Sequence, residues 1–485
     1  MTTTSSSNRY LEGPFAPVAE EVTLTDLQVA GSLPVELDGR YLRNGPNPIS
    51  ADPGAYHWFL GSGMVHGVRL HEGRAEWYRN RWVRSGDVAD ALGEPRRPGP
   101  VFAGFDFSPN TNVIGHGGRT FAIVEAGGRP YELTDELETV GPCDFDGTLP
   151  GGYTAHPHRD PDTGELHALS YFFGWGSTVQ YSVVGTDGRV RRTVDIDVGG
   201  SPMMHDFSLT ADHVVLYDLP VTFDAAAAAK GAPRVLQGPV TSLISRTVGH
   251  RRIPESMIAR MMKRQGPMGF PYKWDDGRPA RVGVLPREGS GADVRWYEVE
   301  PCYVYHPLNA YEDGDDRIVL DVVRHPRMFA TDRTGPNEGA PTFDRWTIDR
   351  SAGKVLEERL DDRGQEFPRA DERVTGRRHR YGYAPTVGTE AADLEAVDVL
   401  LKHDLVAGRT ATRGFGPGTG IGEFVFVPRS ADSAEDDGWL LGLVHHKGED
   451  RTDLAVLDAG TLEDVATVHL PVRVPLGFHG NWIPT

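Results

Sequence analysis

The stretch Val179-Gln180-Tyr181-Ser182-Val183-Val184-Gly185-Thr186-Asp187-Gly188-Arg189-Val190-Arg191-Arg192-Thr193-Val194-Asp195-Ile196-Asp197-Val198 decides the fold. Two runs rich in β-branched residues, 179–184 and 190–198, flank the tight-turn sequence Thr186-Asp187-Gly188-Arg189. Asp-Gly supplies the positive backbone φ that a hairpin turn needs, so strand, turn, strand is the local reading. The pattern recurs. Residues 294–305 and 317–323 are read as a strand pair joined across Glu312-Asp313-Gly314-Asp315, and 438–445 pairs with 453–458. With 58 glycines and 36 prolines spread between such runs, the chain reads as all-β, with sandwich, barrel and propeller as the candidates. No sharp internal repeat selects among them.

Two segments depart from strand character. Residues 224–230 are alanine-rich, and 254–264 carry Met257, Ile258, Met261 and Met262 at helical spacing beside Arg260, Lys263 and Arg264. The second reads as an amphipathic helix that caps the β fold; the sharper alternative is a surface dipping into a membrane interface to collect an apolar substrate. Acidic and small residues over 431–437 read as a solvated turn.

At 485 residues the length prior suggests about three domains, although closed β folds run longer as one unit. The formal charge of −19 argues against nucleic acid as a partner, because phosphate binding needs clustered Lys and Arg. Two cysteines, Cys143 and Cys302, make no disulfide framework and suit a reducing compartment. No run reaches the eighteen or so apolar residues of a spanning helix. The first residues, Met1-Thr2-Thr3-Thr4-Ser5-Ser6-Ser7, lack a basic region followed by an apolar run and are expected to form a disordered tail over 1–12. A cytoplasmic protein is expected, with no obligate protein partner evident.

Chemistry concentrates in four histidines with distinctive neighbours: Thr154-Ala155-His156-Pro157-His158, Met204-His205-Asp206, Tyr305-His306-Pro307-Leu308-Asn309 and Phe478-His479-Gly480-Asn481-Trp482. They lie 49, 101 and 173 residues apart, so only a fold that returns repeatedly to one axis can gather them. That favours the propeller, whose innermost strands all face a central channel. Four imidazoles would suit iron, zinc, copper or nickel alike. No triad or paired carboxylates ask for acid–base work. His57, His66, His158, His445 and His446 are not expected on the metal; the last two alternate across a strand, so at most one faces the axis.

These four settings, in this order, resemble the carotenoid cleavage oxygenases. The resemblance covers nearly the whole chain, including Tyr41-Leu42-Arg43-Asn44-Gly45-Pro46-Asn47-Pro48, Gly61-Ser62-Gly63-Met64-Val65-His66, Phe270-Pro271-Tyr272-Lys273-Trp274 and Arg281-Val282-Gly283-Val284-Leu285-Pro286-Arg287. It implies a seven-bladed β-propeller over 13–485, with a helical and loop cap that includes about 222–275. It also implies Fe(2+) held by His156, His205, His306 and His479. Glu125, Glu366 and Glu423 match the three glutamates that orient such histidines, and Thr111 matches a threonine whose methyl crowds one open position of the iron.

The implied reaction is oxidative cleavage of a carbon–carbon double bond by O2 to two carbonyl products, through a dioxetane or an epoxide, on an apolar alkene in a dry tunnel. A carotenoid or apocarotenoid is the first expectation, and an aryl alkene such as a stilbene or phenylpropanoid the alternative. Stilbene cleavers of this family resemble one another in a lysine just before the first glutamate, where this chain has Val124. Two other classes stay open: a propeller that binds an apolar ligand without reacting, and a hydrolytic metalloenzyme. The second would normally want a first carboxylate ligand or a nearby general base. A peripheral membrane contact by the 254–264 helix is the remaining partner expectation.

Overall fold

A computed structural model describes residues 8–265, 269–336, 338–388 and 398–485. Its described strands form seven larger sheets and one two-stranded pair, and the seven are the blades of a β-propeller. In chain order, blade 1 is Asn112–His116, Arg119–Ile123, Tyr131–Leu133 and Thr139–Pro142. Blade 2 is His158–Arg159, Leu166–Tyr171, Thr178–Val184 and Val190–Asp197. Blade 3 is Phe207–Leu209, His213–Asp218, Arg281–Pro286 and Arg295–Glu298. Blade 4 is Pro307–Glu312, Arg317–Arg324, Thr342–Asp349 and Lys354–Asp361. Blade 5 is Tyr381–Pro385, Val399–Asp404 and Arg409–Gly414.

Blades 6 and 7 close the ring. Blade 6 runs Thr419–Pro428, Gly438–His446, Arg451–Asp458 and Asp464–Leu470, and the early strand Gln28–Gly31 pairs with the last of these. Blade 7 mixes both ends of the chain: the C-terminal strand Gly480–Pro484 pairs with Gly39–Pro46, followed outward by Gly63–His71, Arg74–Trp82 and Thr23–Leu24. Strands from the N-terminal part of the chain thus complete the last two blades and close the ring.

Burial follows position in the blade. Strands near the axis touch neighbouring blades on both faces, so Leu166–Tyr171 is buried at every residue. The outermost strands face solvent on one side, and Val190–Asp197 alternates accordingly. Large side chains fill the wedge between blades; Tyr217 of blade 3 meets Trp346 of blade 4 edge-on, with ring centroids 6.2 Å apart.

The hairpin around Asp187-Gly188 forms as expected, Gly188 taking φ 76°. The pairing expected for 294–305 does not. Arg295–Glu298 is the outer strand of blade 3, and the strand that meets Arg317–Arg324 across the Asp313-Gly314 turn is Pro307–Glu312. Pro301 lacks the N–H a ladder needs, and the chain there crosses from one blade's rim to the next blade's axis.

The cap insertion lies between the second and third strands of blade 3. A two-stranded pair, Val221–Phe223 with Tyr272–Trp274, brackets it. Inside are the short helix Ala225–Ala228, capped by Asp224, and the helices Gln237–Thr247 and Glu255–Gln265. The expected amphipathic helix is therefore present; Ile258 is fully buried among Phe102, Phe172, Phe173 and Trp175, whereas Met257 is 56% exposed. Of the tail expected over 1–12, residues 1–7 lie outside the described residues. Asn8 to Glu12 are not a loose tail: Tyr10 is buried, stacked on Trp58 at 5.1 Å. The acidic turn at 431–437 is more than solvated, because the Glu435 carboxylate accepts hydrogen bonds from the Arg380 and Tyr381 N–H groups.

Candidate metal centre

Each of the four histidines stands one or two residues ahead of the innermost strand of a blade. His156 precedes His158–Arg159 of blade 2, His205 precedes Phe207–Leu209 of blade 3, His306 adjoins Pro307–Glu312 of blade 4, and His479 adjoins Gly480–Pro484 of blade 7. All four are buried, and one ring nitrogen from each falls within 4.8 Å of the others. The remaining three blades supply the glutamates. Glu125 follows Arg119–Ile123 of blade 1, Glu366 pairs along the edge of blade 5 through its N–H to the Pro385 carbonyl, and Glu423 sits in a bulge of the inner strand of blade 6. A bulge turns a side chain out of the strand's regular alternation. Every blade therefore sends one side chain to the axis.

The glutamates fix the imidazoles. His205 Nδ1 lies 2.9 Å from Glu125, His306 Nδ1 2.6 Å from Glu366, and His479 Nδ1 3.1 Å from Glu423. With Nδ1 engaged as a donor, the other nitrogen, Nε2, is left as a bare acceptor facing the axis. His205 Nε2 and His306 Nε2 approach to 3.3 Å, two lone pairs held together with no proton donor of their own between them. His156 Nε2 is buried with no hydrogen-bond partner. Four imidazole nitrogens converging on one point, one orphaned and two in mutual conflict, fit a bound cation.

Electrostatics agree. Burial alone would raise the Glu366 carboxyl, but the His306 and His325 imidazoles hold it far below the usual carboxylate range. Burial opposes Glu423 likewise, yet the Arg369 guanidinium, His479 and the Gly480 N–H bring it down to about 2. Burial and the neighbouring imidazoles of His205, His479, His306 and His158 push His156 well below its ordinary value, so it remains neutral and able to bind a metal.

Cavities open on both sides of the cluster. On the cap side lies an apolar cavity of about 960 Å³ reached by His205, His306 and His479, with Phe59, Phe105, Phe173, Tyr272, Phe367 and Phe478 among its walls. Val124, Glu125 and Thr111 also line it. Thr111 is buried, its hydroxyl donates to Asn110 at 3.0 Å, and its carbonyl accepts the His479 N–H at 3.1 Å. On the opposite side a polar cavity of about 820 Å³ is reached by His156, His158, Asp206 and Arg369.

The other histidines stay off the cluster. His158 lies 2.7 Å from Asp206, His66 2.8 Å from the Tyr78 hydroxyl, and His446 2.7 Å from Asp453. His57 stacks on Phe270 at 4.1 Å and His445 is buried in blade 6.

Sequence reasoning passed over three supporting residues. His325 meets the second oxygen of Glu366, and Arg369 reaches Glu423 at 3.4 Å and Asn481 at 2.8 Å. The dipeptide His325-Pro326, which repeats the His-Pro of 156–157 and 306–307, was the available signal for the first. Phe367 stacks on His306 at 5.3 Å with φ 51°, a conformation costly for a bulky residue and typical of functional sites.

Comparison with known proteins bears on these observations. The family model described as retinal pigment epithelial membrane protein matches residues 15–484. The carotenoid cleavage oxygenase of Mycobacterium tuberculosis (strain H37Rv) is 57% identical over 494 residues, covering 99% of this chain and 98% of that one. The crystal structure of the lignostilbene dioxygenase of Pseudomonas brassicacearum superposes with a TM-score of 0.81 at 26% identity, covering 99% of both chains. Cobalt-substituted Synechocystis apocarotenoid oxygenase superposes with a TM-score of 0.79 at 26% identity, covering 97% of both.

Proposed function

This chain belongs to the carotenoid cleavage oxygenase family, the family of the retinal pigment epithelial membrane protein, and we propose from that premise that it is an iron(II) dioxygenase cleaving a carbon–carbon double bond of a carotenoid or apocarotenoid. One observation carries the reading: four buried imidazoles converge on one point, and the three held from behind by glutamates line an apolar cavity. His156, His205, His306 and His479 would hold the ion, and Glu125, Glu366 and Glu423 would fix the tautomer and angle of three of them. Iron(II), when bound, supplies O2 activation without requiring a protein acid or base.

The chain's own residues do the rest. The aromatic walls at Phe59, Phe105, Phe173 and Phe478 exclude water and orient a flat polyene over the histidines. The cavity volume of about 960 Å³ lies at the upper end for ligand pockets, which suits a long substrate. Thr111, beside His479, would narrow the approach to one side of the ion. Val124 stands in the cavity wall where a phenol-binding lysine would be, and this favours a polyene over a hydroxylated stilbene.

A peripheral membrane contact is the second reading. The cap insertion exposes Val235 at 85%, Leu243 at 65% and Met257 at 56%, and Met262 of the same helix as Met257 lines the cavity. An apolar substrate could pass from a bilayer surface along that helix. No helix among the described residues is long and apolar enough to cross a membrane. Cys143 and Cys302 are buried and unpaired in separate parts of the core, which suits a cytoplasmic protein.

The test is anaerobic loading with iron(II), then O2 with an apocarotenal or with 4-hydroxystilbene, the products weighed by mass spectrometry. Aldehydes from the apocarotenal that disappear in His306→Ala are expected. A protein that binds no iron, or one that cleaves the stilbene alone, contradicts the metal or the substrate part respectively.

A further inference from the structure

Three of the clustered histidines have a glutamate behind them; His156 has none. The carboxylate nearest its Nδ1 is Asp206, with Oδ2 at 3.7 Å. Asp206 is buried and held from two directions. Its Oδ1 accepts the Phe207 N–H at 2.6 Å and meets His158 Nε2 at 2.7 Å, which leaves Oδ2 turned toward His156. His158 is in turn braced by the edge of the Phe207 ring, 4.8 Å away. His156, His158 and Asp206 all reach the polar cavity rather than the apolar one.

Resting on the reading of this cluster as a metal centre, we propose that Asp206 is the positioning residue for the fourth histidine: it accepts the His156 Nδ1–H and is itself aimed by His158. The geometry supplies everything but the last step. A separation of 3.7 Å exceeds a hydrogen bond by less than ~1 Å, and a small side-chain rotation at a cavity wall closes it. The chemistry needs such a partner, because a ligating imidazole whose Nδ1–H lacks an acceptor is free to swivel and is a poorer donor. Because Asp206 follows His205 directly, one backbone segment carries a ligand on one residue and the support of another ligand on the next. His156 is then the ligand held most weakly, and of the four it is the one that lines the polar cavity and not the apolar one.

The experiment compares Asp206→Asn and Glu366→Gln with the parent, each first stripped of metal. Thermal unfolding of the metal-free proteins separates damage to the fold from damage to the site. Cobalt(II) is then titrated in against a competing chelator, and its visible ligand-field bands are recorded. Asn keeps the shape of Asp206 and an oxygen for the Phe207 N–H, so the metal-free protein should melt as the parent does. Cobalt should bind about 10–100-fold more weakly, with shifted bands. His158→Gln should move both readouts the same way by a smaller amount, and carries the test alone if Asp206→Asn does not fold. Parent-like affinity and bands in Asp206→Asn overturn the proposal. If Glu366→Gln is affected while Asp206→Asn is not, only the proposal falls; if neither is affected, the metal-centre reading falls with it.

Discussion

His325 Nε2 lies 2.8 Å from Oε1 of Glu366, the oxygen that His306 leaves free. The carboxylate is thus clamped between two imidazoles, one that faces the axis and one that does not, and its Oε2 also accepts the Phe367 N–H. His325 comes from the end of the second strand of blade 4 and is buried. It touches no clustered nitrogen, yet it sets the orientation of the group that orients His306. Replacing it by Leu leaves a buried carboxylate oxygen without its partner. Metal affinity should fall toward the lower end of the 10–100-fold range known for such supporting residues. Chelator competition measures this directly, and an unchanged affinity in His325→Leu contradicts the clamp.

Val124 tests the substrate side. It is buried in the cavity wall one residue before Glu125, and the same wall is aromatic at Phe105 and Phe107. An ammonium placed there is costly, by several kcal/mol, unless a substrate oxygen meets it. Val124→Lys should therefore lower kcat/KM for an apocarotenal by more than about tenfold, ~1.4 kcal/mol in the barrier. Any stilbene activity should rise for the 4-hydroxy compound and not for unsubstituted stilbene. Equal turnover of the apocarotenal by variant and parent would remove Val124 from the specificity argument.

Thr111 separates shape from hydrogen bonding. Its hydroxyl is spent on Asn110, 3.0 Å away, and its backbone carbonyl holds the His479 N–H. If the methyl is what narrows the site, Thr111→Val should keep activity within about tenfold. Thr111→Ser, which keeps the hydroxyl and loses the methyl, should change the KM for O2 more than the KM for the alkene. The reverse ranking, Ser benign and Val inactive, assigns the role to the hydroxyl.

How much of this was legible in the sequence depends on the range of the interaction concerned. Hairpins are local, so Asp187-Gly188 and its flanking strands could be read outright, and the histidines stood out because each carries its own neighbours. The strand pairing at 294–305 failed because a connection between blades looks like a strand until Pro301 is weighed. Helix Gln237–Thr247, rich in β-branched residues and with none of its side chains buried, offers little apolar periodicity to read. The glutamates were reachable only through the family resemblance. Glu423 reaches the axis because a bulge re-aims it, and no spacing rule predicts a bulge. Asp206, His325 and Arg369 acquire their roles from partners on other blades, across 50, 41 and 54 residues for His156, Glu366 and Glu423.

Away from the histidine cluster, Glu312 makes a prediction about pH. It stands at the end of the first strand of blade 4 and binds blade 3: His213 Nδ1 at 3.0 Å, the Ala211 and Asp212 N–H groups at 3.0 and 3.2 Å, and the Thr210 hydroxyl. Burial by itself would raise its carboxyl; those donors outweigh it and bring it down to about 2 from an ordinary 4.5. Because the folded value is the lower one, the stability this gives is fully present above about 4.5 and is lost as the pH falls toward 2. Glu312→Gln should therefore melt below the parent at neutral pH, with the difference shrinking steadily below pH 4.5. Thermal unfolding of both proteins across the acid range checks it. A gap between the two that stays constant, or widens, on acidification would show that the blade 3 to blade 4 tie does not depend on the charge of Glu312.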